Sequence, residues 1–418
     1  MWLSPCDPTI TKYKPSYGGI LADLADYEWL TGPEAARWLE ELSLSTEPVH
    51  QQLAKLRKTL VVEHARQIVQ QVELRRRAVV KFGDLAAKMF FSDIPLQQAT
   101  DLTTARYKAS RIPRATPVVD YCCGIGGDLL AFAERGQVTG WDHAPELVHF
   151  ANANLQAVQL HTTNKVSVGE VESQTPDTGE IWHVDPDRRV EGRRSTQIEW
   201  HSPGPELIDR WLATNPNGLL KLAPATVVPE AWAREGEREW ITHNRQCRQQ
   251  ITWFGELASA GGQHRATTLQ KNKNNTPIAT SFVGSPEVAA PRTTQISRYI
   301  YDTDPALRAA HLTGAMAVDQ GLYALQSGAS YLTSDRAVEH PLLSCFEVLD
   351  QLPLRLALLS KHLRSKNIGQ LEIKKRGVDT DPERLRKQLK LSGDETATLL
   401  LTKIGKSEIA LLAKRFEG

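Results

Sequence analysis

The sequence predicts an α/β fold built on a parallel sheet, with a helical segment before it and an α+β segment after it. Three observations lead to this prediction. Apolar residues follow helical spacing in residues 1–112, short β-rich runs alternate with helices in residues 113–285, and residues 286–418 mix both patterns. A chain of 418 residues is long enough for two or three domains. We therefore predict domain boundaries near residues 112 and 285.

The composition is that of an ordinary globular protein, with 24% charged and 41% hydrophobic residues. The sequence contains no apolar run of about 18 residues and no apolar core of signal-peptide length near Met1–Tyr13, so we expect no membrane span. The formal net charge is only +1, so any binding of nucleic acid would depend on local positive charge.

The cysteines are five in number and scattered, without a CxxC pair or zinc-ligand spacing. They are Cys6, Cys122, Cys123, Cys247 and Cys345. This pattern indicates neither a disulfide framework nor a structural metal site. We therefore expect a reduced, cytoplasmic protein without a metal.

The first hundred residues read as helical. Thr31-Gly32-Pro33-Glu34 is typical of a helix start, because proline is favoured in the first turn. Helical spacing then continues over Val49–Val80 and includes Arg75-Arg76-Arg77. These arginines are interpreted as a solvated helix face or, alternatively, as a phosphate-contacting cluster.

The central segment predicts a Rossmann-like sheet of parallel strands linked by helices. The predicted strands are Val118–Cys122, Val138–Trp141, Lys165–Val168, Ile181–Val184 and Gly218–Leu222. The predicted helices are Leu129–Arg135, Pro145–Val158 and Glu206–Ala213. A hairpin of Ala266–Leu269 and Ile278–Val283, turning at Lys271–Asn275, is expected to close one edge of the sheet.

The last segment mixes helices and strands. Helices are predicted for Ala306–Leu325, Leu352–Leu363 and Pro382–Leu389, strands for Leu371–Lys374 and Thr398–Thr402, and a strand or helix for Ile409–Phe416. Between Lys361 and Lys390 the sequence has ten Lys or Arg residues against four Asp or Glu residues. This is the clearest basic concentration in the chain.

A glycine-rich turn follows the first predicted strand and leads directly into a helix. The turn contains Cys122, Gly124, Gly126 and Gly127. Glycines allow a ligand to approach the backbone closely, and a helix N-terminus offers unpaired N–H groups. Such a turn can bind a pyrophosphate or the methionine part of S-adenosylmethionine.

Acidic residues at successive strand ends favour S-adenosylmethionine. A dinucleotide fingerprint requires a third small residue, but Leu129 stands at that position. Asp120 lies before the glycines, where methyltransferases bind the methionine amino group. Asp142 and Glu170 end the next two strands, where carboxylates can bind the ribose hydroxyls and the adenine amine. These acids line the edge where such sheets bind ligands.

The fourth predicted strand ends in Asp185-Pro186-Asp187-Arg188, at the place where this class of methyltransferase keeps the motif that faces the target atom. Amine-directed enzymes often have Asp/Asn/Ser-Pro-Pro followed by an aromatic residue, so Asp187 and Arg188 depart from that pattern. Four arginines close together, Arg188, Arg189, Arg193 and Arg194, favour an anionic substrate. We predict that Asp185 orients the target.

Lys221 is a further candidate for the reaction centre. A lysine at the end of the apolar strand Gly218–Leu222 is costly unless it is paired, and Asp185 is its natural partner. A cysteine nucleophile is the competing hypothesis. Uracil-C5 enzymes have Asp-Pro-Pro-Arg at this position and take a cysteine from after the sixth strand, where Cys247 lies several residues late. Cys247 is otherwise interpreted as a core residue.

The layout resembles bacterial class I S-adenosylmethionine-dependent methyltransferases with a C-terminal THUMP-like domain. The glycine turn is also similar to that of trimethylguanosine-synthase-like RNA methyltransferases. The matching segments are Gln98–Lys108, Val119–Asp128, Asp185–Arg194, Lys221–Pro224, Ile300–Pro305 and Leu371–Thr402. THUMP domains bind RNA, so the resemblance implies an RNA substrate.

Our leading interpretation is therefore a methyltransferase that acts on a base in structured RNA, either tRNA or rRNA. Lys374-Lys375-Arg376 agrees with this interpretation. The alternatives are a methyltransferase acting on a small anionic molecule or a protein, and a catalytically silent module that binds cofactor and RNA. The sequence leaves the target atom and the oligomeric state open.

Overall fold

The protein is described by a computed structural model that covers residues 24–190, 193–271, 276–325 and 331–416, without the side chains of residues 189, 190, 193 and 194. Most of the predicted turn at Lys271–Asn275 lies outside the described residues. The chain forms two compact units. The first contains the described residues up to Ala105 with Arg114–Thr175 and Pro186–Asp209, and the second contains Arg106–Pro113, Pro176–Asp185 and the described residues from Arg210 onward.

The N-terminal segment is helical, as predicted. Its helices are α1 (Leu24–Thr31), α2 (Pro33–Ser43), α3 (Val49–Leu56), α4 (Val62–Phe82), α5 (Asp93–Gln98) and α6 (Leu102–Arg111). Helix α2 begins with Pro33 in its first turn. The helical spacing over 49–80 corresponds to two helices, because the chain turns between α3 and α4. This turn lets α3 pack against α4 and buries Leu56 and Leu60.

The first unit contains three parallel strands. They are β1 (Val118–Tyr121), β2 (Val138–Asp142) and β3 (Lys165–Val168), joined by α7 (Leu129–Ala133) and α8 (Pro145–Ala157). Strand β2 lies between β1 and β3. The predicted bounds of all three strands agree with the structure to within one residue. Parallel strands end at the same edge, so the residues that follow β1, β2 and β3 lie near one another.

The chain then continues through a mixed set of strands and helices. They are β4 (Ile181–Val184), β5 (Arg189–Val190), β6 (Arg193–Arg194), α9 (Pro205–Thr214), β7 (Gly218–Leu222), α10 (Glu230–Glu235), β8 (Glu237–His243), β9 (Gln246–Trp253), β10 (His264–Lys271) and β11 (Pro277–Gly284). In the second unit the strand order is β11-β10-β8-β9-β7-β4. Strands β4 and β7 are parallel, and β10 and β11 form the predicted antiparallel hairpin at the edge.

The C-terminal part of the second unit is a sheet covered by helices. Its elements are β12 (Arg292–Thr293), β13 (Tyr299–Thr303), α11 (Pro305–Ala309), α12 (Thr313–Gln320), β14 (Tyr323–Leu325), β15 (Tyr331–Ser334), β16 (Leu343–Pro353), α13 (Leu356–Ser365), β17 (Ile368–Lys375), α14 (Pro382–Leu389), β18 (Glu395–Ile404) and β19 (Ser407–Arg415). The strand order is β12-β14-β15-β13-β16-β19-β18-β17. Leucines on α13 and α14 pack against β17, β18 and β19 in one apolar core.

Two helix predictions in this part are wrong. The predicted helix over Ala306–Leu325 is two short helices and strand β14, because His311 and Gly321 adopt left-handed backbone conformations that end α11 and α12. The predicted helix over Leu352–Leu363 begins only at Leu356, since Leu352 and Pro353 complete strand β16. Among the helices that the structure describes, none has the length and apolar composition needed to cross a membrane.

Candidate active site

The glycine-rich turn joins β1 to α7 and bends sharply. Cys122, Gly124 and Gly126 have positive φ angles of 57°, 56° and 88°. No atom lies within 4 Å of the position that a Cβ of Gly124 would occupy. This conformation strains any side chain at residue 124, whereas the space beside it is open to a ligand.

The carboxylate of Asp142 holds this turn at the end of β2. Its Oδ2 accepts a hydrogen bond from the backbone N–H of Gly124 at 2.9 Å, and its Oδ1 accepts one from Ala144 at 3.0 Å. Burial raises the pKa of Asp142, and the two backbone donors act against that shift. A carboxylate has about four acceptor sites, so Asp142 retains capacity for ribose hydroxyls.

The other two predicted acids of the cofactor site differ in exposure. Asp120 is only 1% exposed and lies beside Gly140 in the register of β1 and β2. Glu170 is exposed and follows Gly169, whose N–H donates to the Asp142 carbonyl oxygen. The structure thus brings the ends of β2 and β3 together as predicted, with a buried acid in β1 and an exposed acid after β3.

Close packing of α7 against β2 also supports the glycine turn. A Cβ added at Gly140 would lie 2.8 Å from Cδ1 of Leu129, so the glycine in β2 allows α7 to pack closely against the strand. A dinucleotide-binding fold achieves the same close approach with a third glycine in the helix. Gly140 therefore lets a leucine stand at residue 129, where a dinucleotide-binding turn needs a small residue.

The turn is held in place by three residues to which the sequence assigned no role: Thr100, Asp128 and Asn154. Thr100 donates its hydroxyl hydrogen bond to Asp128 at 2.7 Å, and Gly127 packs directly against the backbone of Thr100. Asn154 in α8 is fully buried and donates to the carbonyl of Ile125 at 2.9 Å. In the sequence, the only local signal for this support was an asparagine within the predicted helix Pro145–Val158.

These residues fit S-adenosylmethionine. The turn offers an open backbone at Gly124, a buried carboxylate with acceptor capacity at Asp142 and an exposed carboxylate at Glu170. The amine, the hydroxyls and the adenine amine of this cofactor are hydrogen-bond donors that match such acceptors. The roles of the individual residues remain predictions.

Strands β4 and β7 bring Asp185 and Lys221 together. Because Val184 lies opposite Leu220 in this parallel pair, the next residue of each strand is a neighbour of the other. Nζ of Lys221 donates to Oδ2 of Asp185 at 2.5 Å, with side-chain exposures of 11% and 35%. The hypothesis that these two residues pair is confirmed. Lys221 thus engages Oδ2 of a carboxylate that is partly exposed to solvent.

The rest of the predicted motif begins a hairpin insertion. Pro186 is buried, Asp187 is exposed and Arg188 is half-buried. The backbones of Asp187 and Ser202 exchange two hydrogen bonds of 2.8 Å, and β5 pairs with β6 in between. The side chains of Arg189, Arg193 and Arg194 lie outside the described residues, so the predicted arginine cluster stays a prediction.

The structure weighs against a cysteine nucleophile. Burial raises the pKa of Cys247 to about 12, and burial raises the pKa of Cys123 well above its usual value. A thiol attacks as its thiolate, so neither residue is prepared for this chemistry near neutral pH. Within the described ranges, no group of three His, Cys, Asp or Glu residues is arranged to bind a metal ion.

The chain is similar to known proteins in both sequence and structure. The family described as THUMP domain-like matches residues 343–415. An uncharacterized S-adenosylmethionine-dependent methyltransferase of Mycobacterium tuberculosis, recorded in two strains, is 30% identical over 352 residues, which cover 82% of this chain and 94% of that protein. The crystal structure of a candidate methyltransferase from Porphyromonas gingivalis W83 superposes with a TM-score of 0.75 at 20% identity.

That superposition covers 95% of this chain and all of the other, so it shows that the fold extends over nearly the whole sequence. The alignment with the Mycobacterium relative spans most of this chain and nearly all of that protein. The predicted fold class, the enzyme class and the cofactor are confirmed by these similarities. The chain belongs to the S-adenosylmethionine-dependent methyltransferases, and S-adenosylmethionine is its cofactor.

Proposed function

We propose that this enzyme methylates a base in structured RNA, either tRNA or rRNA, in the cytoplasm. One observation supports this proposal above the others. The chain carries a methyltransferase site and, over residues 343–415, a match to a domain family that resembles an RNA-binding module. A second domain of that kind would hold the RNA by shape and phosphate contacts while the base enters the catalytic pocket.

The charges of the THUMP-like segment support this proposal only in part. Exposed cations lie on and beside helices α13 and α14, namely Lys361, Arg364, Arg384, Lys387 and Lys390. By contrast, Lys374 and Arg376 form ion pairs with the buried carboxylate of Asp302 at 3.2 and 2.8 Å. These two cations stabilise the sheet, so the exposed helices are the better candidates for phosphate contacts.

The Asp185–Lys221 pair suggests how the reaction proceeds. When bound, S-adenosylmethionine would supply an electrophilic methyl group to a lone pair of the target, with the thioether S-adenosylhomocysteine as the leaving group. For a nitrogen target, Oδ1 of Asp185 accepts the hydrogen bond of the target N–H and aims its lone pair. Lys221 fixes the orientation of Asp185 through its hydrogen bond to Oδ2.

A transfer assay tests this function. Purified enzyme is incubated with methyl-labelled S-adenosylmethionine and total RNA from cells that lack the gene, so that the site is unmodified. We expect label in RNA with the wild type and none with Asp185→Ala. Digestion of the labelled RNA to nucleosides then identifies the base and the modified atom. Cofactor binding without label in RNA would contradict the proposal.

Two other functions are separated by the same assay. A methyltransferase for a small anionic molecule or a protein would label those fractions of a cell extract instead of RNA, and the pairing of Lys374 and Arg376 with Asp302 favours this alternative. A catalytically silent module would bind S-adenosylmethionine and RNA without any transfer, and Asp185→Ala would then change nothing.

A further inference from the structure

Trp200 stands out among the aromatic residues of this protein. It is 54% exposed, and no other tryptophan within the described ranges is exposed. Most of the others are buried, as Trp182, Trp211 and Trp253 illustrate. An indole ring in water forgoes a large hydrophobic gain, which stacking on a flat ligand would recover.

The chain around Trp200 is anchored so that the indole points away from the core. Ile198 and His201, on either side of it, are only 5% and 6% exposed. The backbone N–H of Trp200 donates to the carbonyl of Gln197 at 3.2 Å, and that of His201 donates to Ile198 at 3.1 Å. A tight turn with buried flanks therefore presents this ring to solvent.

The hairpin insertion brings the chain near Trp200 back to Asp187 of the predicted motif. Ser202 and Asp187 are bonded through two backbone hydrogen bonds of 2.8 Å. Trp200 lies two residues before Ser202, so chain geometry limits its Cα to about 13 Å from the Cα of Asp187. Asp187 in turn lies two residues after Asp185. Trp200 is thus held near Asp187, the third residue of the predicted motif.

The motif itself has no aromatic residue. Amine-directed enzymes of this class often carry one directly after the prolines, but Arg188 stands at that position in this sequence. A flipped base needs a flat apolar surface to replace the stacking that it loses in the nucleic acid. Trp200, at one end of the insertion, offers such a surface. Arg188, at the other end, offers a positive charge that attracts the phosphate of a nucleic acid.

We propose that Trp200 is the stacking platform for the target base. The proposal rests on the proposed function, because it assumes a nucleobase substrate. Trp200 acts as a binding residue that holds the base plane, whereas Asp185 orients the reacting atom. Loss of the ring should weaken RNA binding without affecting binding of the cofactor.

Anisotropy of fluorescein-labelled pentaribonucleotides (A5, C5, G5 and U5) tests the proposal on the full-length enzyme saturated with S-adenosylhomocysteine. The variants are Trp200→Ala, Trp200→Phe and, as the matched control, Tyr323→Ala, which removes another exposed aromatic ring (48% exposed). Calorimetric binding of S-adenosylhomocysteine shows that each variant is folded.

We expect Trp200→Ala to raise the Kd of the bound oligonucleotide about 5- to 150-fold, the range observed for loss of one base–aromatic stack. Trp200→Phe keeps a stacking ring and should stay within about 3-fold of the wild type. Tyr323→Ala should leave the Kd unchanged.

Two results would overturn the proposal: equal binding by the wild type and Trp200→Ala, or no binding of any oligonucleotide by the wild type. If the wild type still transfers label to total RNA in either case, the proposed function stands and only the role of Trp200 fails. If RNA receives no label, the proposed function fails on its own grounds.

Discussion

Two pairs of acids and cations in the second unit are built in opposite ways. On strand β8, Glu239 is fully buried and accepts hydrogen bonds from Tyr107, Thr267, Arg111 and Trp253, so both of its oxygens are occupied twice. At the end of β4, Asp185 is partly exposed and has Lys221 on one oxygen.

Glu237, the neighbour of Glu239 on the same face of β8, repeats the first pattern. It is fully buried and bonds to Arg111, Arg265, Ser259 and the N–H of Ala260. Two acids and two arginines thus neutralise each other with every oxygen satisfied. Complete satisfaction stabilises a fold but leaves no acceptor for a substrate. The partial satisfaction of Asp185 leaves acceptor capacity for a substrate, and this difference separates a structural charge cluster from the proposed reaction centre.

The largest expected effect comes from breaking the buried cluster. Glu239→Ala removes the acceptor that Tyr107, Thr267 and Trp253 share, and it leaves Arg111 with only Glu237 and the Leu257 carbonyl. Removal of one partner from a buried ion pair costs about 3–5 kcal/mol. We expect a fall of that size in the free energy of unfolding, measured by urea denaturation and far-UV circular dichroism. Glu239→Gln keeps the shape and an acceptor oxygen, so it should cost less. Equal stability of wild type and Glu239→Ala would contradict this interpretation of the cluster.

The comparison also shows which features a sequence can reveal. The glycine turn, the strand ends and the Asp185–Lys221 pair were predictable, because each depends on a local signal: glycines after an apolar strand, or a lysine within one. The β8 cluster was not predictable, since Glu237-Arg238-Glu239 reads as a polar segment. The residues that make burial of these acids possible, Tyr107 and Arg111, lie about 130 positions earlier in the chain.

The same limit applies to the C-terminal charges. The count of basic residues between Lys361 and Lys390 is a property of sequence, but the pairing of Lys374 and Arg376 with Asp302 is a property of the sheet. Predicted helices failed where left-handed residues such as His311 ended them, because most residue types adopt that conformation only when tertiary contacts require it.

The second prediction concerns the exposed pair. Lys221→Met removes the charge that orients Asp185 but keeps a flexible side chain of similar length. We expect methyl transfer to fall about 30- to 100-fold through kcat, because a correctly aimed acceptor is a positioning effect. The free energy of unfolding should change by less than about 1.5 kcal/mol, unlike that of Glu239→Ala. Lys221→Arg serves as the control and should retain more activity. A loss of stability without a loss of kcat would place Lys221 in the structural group.

The third prediction uses acid to test the buried cluster. Burial acts to raise the pKa of Glu237, but Arg265 and Arg111 outweigh it and lower this pKa from 4.5 to about 2. The resulting stability is fully present above pH 4.5 and is lost as the pH falls towards 2. We expect the urea midpoint of the wild type to fall over this range. Glu237→Gln should start lower and fall less steeply, because it removes the titrating group. Parallel curves for the two proteins would show that Glu237 does not contribute to the acid sensitivity.

The smallest effect is expected at a surface pair, which provides the lower bound of the comparison. Arg234 and Glu230 are one helical turn apart on α10, with a contact of 2.8 Å and side-chain exposures of 74% and 87%. Water screens such a pair, and its formation restricts two flexible side chains. Glu230→Ala should therefore change the free energy of unfolding by no more than about 0.5 kcal/mol and leave methyl transfer unchanged.

The contact distance of this surface pair matches that of Glu237 with Arg111, so burial and the number of satisfied oxygens would account for the difference in effect. A cost near that of Glu239→Ala would show instead that short distance alone decides the strength of these pairs.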